Sequence, residues 1–376
     1  MEAQKISNIL VVGFGAVGAI YSYILKSSRR AHVTSVARSN YDAVNDHGLQ
    51  IKSGKYGQET GWRPDRLVRS VAEAADRPYS YVFITTKVVP ERISTADILK
   101  PLISSPYADK HPQSTYVFLQ NGLNVETEFY HALEQLGKSE PSIISTALWI
   151  NTNLIAPDVV EHNNFDRVTL GMYRFNDFTT NTNTPLEAAI LEEIARILEA
   201  GGSEVTIVKE VQRIKFAKNF WNVAFSSFAT LTQVPALFRP PPSDPSSPYS
   251  PYISPTTADL ITKHTIPTIR ATLQELLILG RALGYQDDKD GLPSSVVDDV
   301  IESTRRLHTV PESTHKPSMM LDAEKGLPIE VEVILGEVVR MAQEREIPMP
   351  RVEMLYALLL VVQNQILAKL EAQGIN

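Results

Sequence analysis

The sequence predicts an α/β domain with a doubly wound parallel sheet, followed by an all-α domain. The chain has 376 residues, more than one compact domain usually contains, so two domains are expected. Strand-like apolar runs alternate with helical patterns in residues 1–209, as they do in parallel sheets covered by helices. Residues 210–376 are almost entirely helical in pattern, so we place the domain boundary at residue 210.

Composition narrows the class of protein. Hydrophobic residues make up 43% and charged residues 21% of the chain, as in an ordinary soluble globular protein. The formal net charge of −7 argues against a protein that chiefly binds nucleic acid or an anionic membrane. The absence of cysteine excludes disulfides, thiolate metal sites and a cysteine nucleophile. It also fits a reducing compartment. Because no secretion or mitochondrial import signal is evident, we expect a cytoplasmic location.

The first predicted element is the apolar run at residues 9–25, "ILVVGFGAVGAIYSYIL". A secretion signal would need a basic leader and a cleavage site, and a membrane span about 20 apolar residues. The run instead reads as a strand, a G-x-G-x-x-G turn and a helix. In such a turn the first glycine allows the tight bend, the second lets a pyrophosphate approach and the third lets the helix pack closely.

This turn therefore predicts a Rossmann-type dinucleotide-binding site. The alternative is a glycine-rich turn without a ligand. The residues predicted to contact the cofactor are Gly13, Phe14, Gly15, Ala16, Val17 and Gly18.

The second strand, residues 32–38, indicates which dinucleotide binds. NAD-binding domains usually place Asp or Glu at the end of this strand to bind the ribose hydroxyls. Here the strand ends in Ala37, Arg38 and Ser39. A guanidinium and a hydroxyl suit a 2′-phosphate, so the sequence favours NADP over NAD. The alternative is that Arg38 is an ordinary surface arginine.

Further strands and helices complete the first domain. Two strands end in "TTK" (85–87) and "QNG" (120–122), at the edge where open α/β sheets bind ligands. The longer β segments at 142–155 and 167–175 are interpreted as the antiparallel edge of the sheet. The other predicted elements are helices at 90–103, 124–137 and 184–202 and a strand at 203–210.

The helical domain opens with a long helix at 211–234 that carries candidate catalytic residues. Lys218, Asn222 and Ser226 are four residues apart and should share one helix face. Aromatic neighbours make that helix partly buried, where a lysine is costly unless it is paired or used. The alternatives are a lysine that extends to solvent, and Lys215 as a competing candidate.

Residues 237–259 are dense in proline and serine and predict a loop or a partly disordered insert. After it, Ser318 opens a short segment and Glu330 begins a helix, where the helix dipole also favours an acid. Helices are predicted at 266–285, 294–307, 329–346 and 351–373. The nine-residue apolar run at 354–362 is too short for a membrane span and predicts a core or dimer helix.

These motifs together resemble the ketopantoate reductase (2-dehydropantoate 2-reductase) family. The shared features are "GFGAVG", an arginine after the second strand, "TTK", "QNG", a K-x-x-x-N helix and an S-M…E-V-E segment, in the family's order. They cover nearly the whole chain except the proline-rich insert. The resemblance implies a Rossmann-type domain and a 6-phosphogluconate-dehydrogenase-like helical domain. It also implies NADPH-dependent reduction of a 2-keto acid, with 2-dehydropantoate as the leading substrate.

The resemblance also implies roles for individual residues. Lys218 matches the general acid that protonates the carbonyl oxygen, and Glu330 matches the carboxylate that orients substrate and lysine. This chemistry needs no metal, because an ammonium can both stabilise the developing charge and deliver the proton. A small-molecule keto acid and a homodimer are the implied partners. The implied substrate residues are Asn121, Asn222, Ser226 and Ser318, and the implied cofactor contacts beyond the glycine turn are Arg38, Lys87 and Asn121.

Four departures from the family pattern leave the substrate open. Ser226 and Ala236 stand where the family has asparagines, and Glu332 and Leu335 replace an aspartate and an asparagine. One alternative is a family member that acts on a different 2-keto acid. Another is a catalytically idle NADP-binding sensor or interaction protein. A glycerol-phosphate or hydroxyacid dehydrogenase is the third, and "QNG" and the spacing from Ser318 to Glu330 fit it less well.

Overall fold

A computed structural model describes residues 6–241, 252–310 and 315–374. The chain divides into two compact units, Met1–Ile214 and Lys215–Asn376.

In the described part of the first unit, ten strands form one sheet, in the order β4-β3-β9-β8-β7-β6-β1-β2-β5, with β10 also paired to β9. The six strands from β8 to β5 in this order are parallel, which confirms the parallel sheet. The strands are β1 (Ser7–Val12), β2 (Ala31–Val36), β3 (Leu49–Ser53), β4 (Gly57–Trp62), β5 (Arg66–Val68), β6 (Tyr81–Ile84), β7 (Thr115–Phe118), β8 (Ile143–Ala156), β9 (Val159–Met172) and β10 (Glu204–Ile207).

Helices cover this sheet. In β1, residues 9–12 are all buried, so both faces of the sheet are shielded, as in doubly wound folds. The sixteen-residue α7 begins with a capping box, in which Thr184 and Glu187 each accept from the other's backbone N–H. The helices of this unit are α1 (Ala16–Ser27), α2 (Tyr41–His47), α3 (Val71–Ala74), α4 (Thr95–Leu99), α5 (Tyr107–Lys110), α6 (Thr127–Leu136) and α7 (Pro185–Ala200).

Two features of the sheet differ from the prediction. The strands β3, β4 and β5 were not predicted, because β4 is largely polar and exposed and shows no apolar run. The antiparallel pairing of β8 with β9 is confirmed, but β9 begins at Val159 and not at residue 167, and the pair does not lie at the sheet edge. The fourteen-residue β9 is long enough to pair with β3 through its first half and with β10 through its second half.

The described part of the second unit is helical, as predicted. Three of its segments are π-helical turns, in which hydrogen bonds span five residues instead of four. These turns are Asn222–Ser226, Ile261–Thr265 and Glu332–Gly336. The helices are α8 (Gln212–Trp221), α9 (Ser227–Thr232), α10 (Ala258–Leu260), α11 (Ile266–Ala282), α12 (Val296–Thr309), α13 (Ser318–Glu324), α14 (Glu337–Gln343) and α15 (Pro350–Ala372).

The predicted insert at 237–259 is described only at its two ends. Residues 237–241 and 252–257 contain neither helix nor strand, as expected, and α10 begins at residue 258. Residues 242–251 lie outside the described residues.

The C-terminal helix α15 is apolar on an exposed side as well as a buried one. Val352, Leu359 and Ile366 are buried, whereas Met354 and Leu358 are exposed. The predicted core helix is therefore buried along one side only. In the described chain it is the one helix with the length and composition of a membrane span. That is weak evidence for a span, because core helices of soluble proteins have the same properties.

Candidate active site

The turn after β1 has the geometry that a dinucleotide requires. Gly13 has a φ of +100°, a conformation that favours glycine. A Cβ on Gly18 would collide with the Gly13 carbonyl oxygen, so this glycine allows α1 to pack close to the turn. Apart from its neighbours in the chain, a Cβ on Gly15 would meet no described atom within 4 Å. The backbone at Gly15 is therefore open to a ligand.

Helix α1 begins at this turn with a start suited to an anion. Gly15 is its N-cap, no side chain of the described residues caps it, and its first turn lacks an acid. The N–H groups at such a helix start attract negative charge. Phe14 is buried, and its carbonyl accepts from Asn40 Nδ2 at 2.9 Å. Ala16 and Val17 are half-buried in the first turn.

The neighbouring strands β6 and β7 fix this turn in place. Thr85 Oγ1 donates to the carbonyl oxygens of Val12 and Gly13, at 3.1 and 2.6 Å. Gln120 Nε2 donates to the carbonyl oxygen and the hydroxyl of Thr86, at 2.9 and 3.1 Å. The first threonine of "TTK" and the glutamine of "QNG" are thus parts of the scaffold around the turn.

The other predicted cofactor residues lie along the same edge of the sheet. Arg38 and Lys87 follow β2 and β6 and are exposed, and Asn121 follows β7 and is half-buried. Because β7, β6, β1 and β2 are parallel neighbours, their carboxyl ends carry these residues beside the glycine turn. The open backbone, the helix start and these cations fit a bound pyrophosphate.

Lys218 lies in the second unit, in the last turn of α8, and is half-buried. Burial and the charge of Lys215 lower the pKa of Lys218, the charge of Glu330 raises it, and the net pKa is about 8. Lys215 and Glu330 are themselves buried. The structure therefore brings the predicted acid, its competitor and the predicted carboxylate into one electrostatic group.

Two side-chain amides hold the segment around Glu330. Gln363 Nε2 donates to the Ile329 carbonyl at 3.1 Å, and Gln363 Oε1 accepts from the Ile329 N–H at 2.9 Å. On the other side, Asn219 Nδ2 donates to the Ile334 carbonyl at 2.9 Å. We call Gln363 and Asn219 the amide clamp. The clamp ties Glu330 both to α15 and to the helix that carries Lys218.

The predicted common face of Lys218, Asn222 and Ser226 needs correction. Residues 222–226 form a π-helical turn, so four residues do not complete one turn between Asn222 and Ser226. Asn222 is half-buried, whereas Ser226 is only 2% exposed. A side chain with so little exposure is less accessible to a substrate than that of Asn222.

Ser318 begins α13, and its side chain is exposed. Helix α13 packs against α9 and against the π-helical turn at Asn222–Ser226. Ser318 is therefore placed near Asn222 and Ser226 by the packing of α13, and not by a contact of its own side chain.

The amide clamp was not predicted from the sequence. Asn219 directly follows Lys218 between aromatic residues, and Gln363 interrupts the apolar part of α15. A buried polar residue needs a hydrogen-bond partner. The position of Asn219 and Gln363 in apolar stretches could therefore have indicated that each of them holds another part of the chain.

Two family models match this chain. The model described as "Ketopantoate reductase PanE/ApbA" matches residues 9–174. The model described as "Ketopantoate reductase PanE/ApbA C terminal" matches residues 247–363.

Individual proteins are also similar to this chain over nearly its whole length. An uncharacterized protein of Saccharomyces cerevisiae, YDL144C, is 26% identical over 96% of this chain and 94% of its own length. The crystal structure of 2-dehydropantoate 2-reductase from Methylococcus capsulatus is 26% identical and covers 96% of this chain and 97% of its own, with a TM-score of 0.73.

A more distant structure shares the fold. D-mandelate dehydrogenase, solved in a ternary complex with NADH and anilino(oxo)acetate, is 17% identical, with a TM-score of 0.71 and coverage of 96% and 99%. The two family models, one for each part of the chain, decide the assignment: this chain belongs to the ketopantoate reductase family, a family of oxidoreductases.

Proposed function

We propose that this protein reduces a 2-keto acid to a 2-hydroxy acid with NADPH, and that Lys218 is the general acid. The supporting observation is the group formed by Lys218, Lys215 and Glu330. With a pKa of about 8, Lys218 holds its proton at neutral pH and releases it more readily than an ordinary lysine. This is the property that protonation of a carbonyl oxygen requires. The leading substrate is 2-dehydropantoate.

Each of the proposed site residues has a separate role in the reaction. Bound NADPH would supply a hydride to the ketone carbon, which would place negative charge on the carbonyl oxygen. Lys218 Nζ donates its proton to that oxygen, and Glu330 orients the ammonium and stabilises its charge against burial. Asn121, Asn222 and Ser318 are proposed to hold the substrate, whereas Ser226, which is only 2% exposed, is not.

The preference for NADP is carried by Arg38. Its guanidinium is exposed directly after β2, where an NAD-binding domain would place an acid for the ribose hydroxyls. A 2′-phosphate would accept charge-assisted hydrogen bonds there. Lys87 and the glycine turn are proposed to bind the remaining phosphate groups.

The surroundings of Glu332 and Leu335 support the alternative that the substrate is a different 2-keto acid. Glu332, where the family has an aspartate, binds Arg340 at 2.8 Å and accepts from the Tyr356 hydroxyl at 2.5 Å. Leu335 is fully buried, where the family has an asparagine. Glu332 is already hydrogen-bonded within the protein, and Leu335 is apolar and buried. Neither side chain can therefore replace the polar group that stands at its position in the family.

A panel of 2-keto acids, assayed with NADPH and NADH, tests this proposal. We expect NADPH oxidation with 2-dehydropantoate or with another 2-keto acid, and little oxidation of NADH. Binding of NADPH without turnover of any keto acid would support the idle sensor instead.

Two further proposals concern the state of the protein. The exposed apolar side chains of α15 favour a homodimer, which light scattering coupled to size exclusion would detect. The absence of cysteine favours the cytoplasm, which a fluorescent fusion would check.

A further inference from the structure

An acidic side chain lies close to the arginine proposed to select NADPH. Strand β2 ends at Val36, Arg38 lies in the turn that follows, and Asp42 lies in the first turn of α2, four residues after Arg38. The Asp42 side chain is 76% exposed, so its carboxylate faces the same solvent as Arg38. A carboxylate in this place would repel a 2′-phosphate and would compete with it for the Arg38 guanidinium.

Arg69 binds this carboxylate with two hydrogen bonds. Arg69 Nη2 donates to Asp42 Oδ1 at 2.6 Å, and Arg69 Nη1 donates to Asp42 Oδ2 at 3.3 Å. These hydrogen bonds hold the pKa of Asp42 below its ordinary value, so the carboxylate is ionised at neutral pH and the Arg69 charge compensates it. The guanidinium of Arg69 also lies over the Tyr41 ring, 4.0 Å from its centroid. Among the described residues, Arg38 itself has no ion-pair partner.

The pairing of two strands brings Arg69 to this turn. Strands β2 and β5 are parallel neighbours, and Val36 lies opposite Val68 at their carboxyl ends. Directly after this pair, the N–H of Ala37 donates to the Val68 carbonyl at 2.9 Å. Arg69 therefore leaves β5 beside the turn that carries Arg38.

The same turn is tied to the glycine turn. Asn40, which is 6% exposed, donates from Nδ2 to the carbonyl oxygens of Phe14 and Pro157, at 2.9 and 3.1 Å. The turn that carries Arg38 is thus held next to the start of α1. In a Rossmann-type domain the ribose of the adenosine lies beside the end of this second strand.

We propose that Arg69 is a positioning residue for cofactor selection, which pairs with Asp42 and so leaves the Arg38 guanidinium for the 2′-phosphate of NADPH. Arg69 acts through Asp42 and needs no contact with the cofactor. This role rests on the proposed function, because it assumes that Arg38 binds the 2′-phosphate.

A pair of substitutions tests this role by fluorescence titration with NADPH and NADH. Arg69→Met releases the carboxylate, so NADPH should bind about fivefold more weakly, the effect of one unit charge a few ångströms away in water. NADH affinity should change less than twofold. Arg69→Met combined with Asp42→Asn removes the released carboxylate as well, so NADPH should again bind within twofold of the wild type.

Arg66→Met is the matched control. Arg66 begins the same strand and forms an ion pair with Asp76 at 2.7 Å, so this variant changes the net charge equally at the other end of β5. It should bind both cofactors as the wild type does, and melting temperatures show whether each variant is folded. An equal loss of NADPH affinity in Arg66→Met, or no loss in Arg69→Met, would overturn the role of Arg69.

The two Asp42→Asn proteins give further outcomes that decide the matter. A double variant that binds NADPH as weakly as Arg69→Met would show that Arg69 does not act through Asp42, which overturns the proposal. Asp42→Asn alone should bind NADPH at least as tightly as the wild type, and weaker binding would also overturn it. This single variant tests the proposal even if Arg69→Met does not fold.

Arg38→Ala separates this role from the proposed preference for NADPH. If Arg38→Ala binds only NADPH more weakly and Arg69→Met binds it normally, the role of Arg69 fails and the preference stands. If Arg38→Ala binds NADPH and NADH equally more weakly, the assignment of the 2′-phosphate to Arg38 fails instead.

Discussion

At the scale of single residues, the charge state of Lys218 depends on two neighbours with opposite effects. The positive charge of Lys215 lowers its pKa and the negative charge of Glu330 raises it, on top of the lowering by burial. A general acid must be protonated to act, so kcat/KM for reduction should fall as the pH rises through about 8.

The two neighbours can be tested separately. Glu330→Gln removes a charge that stabilises the ammonium, so the alkaline fall of kcat/KM should move to lower pH. Lys215→Met removes a charge that opposes the ammonium, so the fall should move to higher pH. The pH profiles of the two variants, compared with the wild type, check both signs. Shifts in the same direction would mean that Lys218 is not the titrating group.

We propose that Arg38 determines the preference for NADPH over NADH. Replacing it with alanine removes one charge-assisted interaction, worth roughly 1.5–3 kcal/mol or about 10- to 150-fold in affinity. NADPH should therefore bind Arg38→Ala that much more weakly, and NADH nearly as well as it binds the wild type. Nicotinamide fluorescence titrations measure both constants. Equal losses for the two cofactors would contradict the 2′-phosphate assignment.

At the scale of elements, two substitutions in the turn between β1 and α1 distinguish an effect on cofactor binding from an effect on folding. Gly15 has a φ of −75° and open space where a Cβ would lie. The Gly15→Ala protein should therefore have the melting temperature of the wild type. The added methyl group lies where a pyrophosphate would approach, so NADPH affinity should fall at least tenfold.

Gly18→Ala is the contrasting variant in the same turn. Its methyl group would collide with the Gly13 carbonyl, so the melting temperature itself should fall. Thermal unfolding and NADPH titration of both variants check the pair. A Gly15→Ala protein that binds NADPH normally would show that the turn has no pyrophosphate beside it.

The amide clamp is a second element-scale device. Gln363→Leu leaves the buried N–H and carbonyl of Ile329 unsatisfied, at a cost of roughly 1–3 kcal/mol each in unfolding free energy. Because Glu330 follows Ile329, kcat should also fall while NADPH affinity is unchanged. Gln365→Leu is the control, since Gln365 is exposed on the same helix. Chemical unfolding and kcat for both variants decide whether the clamp positions Glu330.

At the scale of the whole molecule, the sequence was most informative where structure is local. The glycine turn could be predicted because its three glycines, its strand and its helix are contiguous and each has a geometric reason. The helical pattern after residue 210 was equally clear, because apolar residues repeat with the helix period.

Long-range features could not be predicted in the same way. The strand β4 is mostly polar and depends on pairing with β3, so it has no sequence pattern of its own. The π-helical turns depart from the period on which the common face of Lys218 and Ser226 was based. The clamp partners are 34 and 115 residues apart in the chain, so only the folded structure joins them.

We propose that Lys218, and not Lys215, delivers the proton to the carbonyl oxygen. Single-turnover reduction of 2-dehydropantoate, or of the best keto acid in the panel, by preformed NADPH complexes of Lys218→Met and Lys215→Met tests it most directly. We predict that Lys218→Met binds NADPH normally and reacts about 10²- to 10⁴-fold more slowly, whereas Lys215→Met stays within tenfold of the wild type. Wild-type rates in Lys218→Met, or a comparable loss in Lys215→Met alone, would contradict the account.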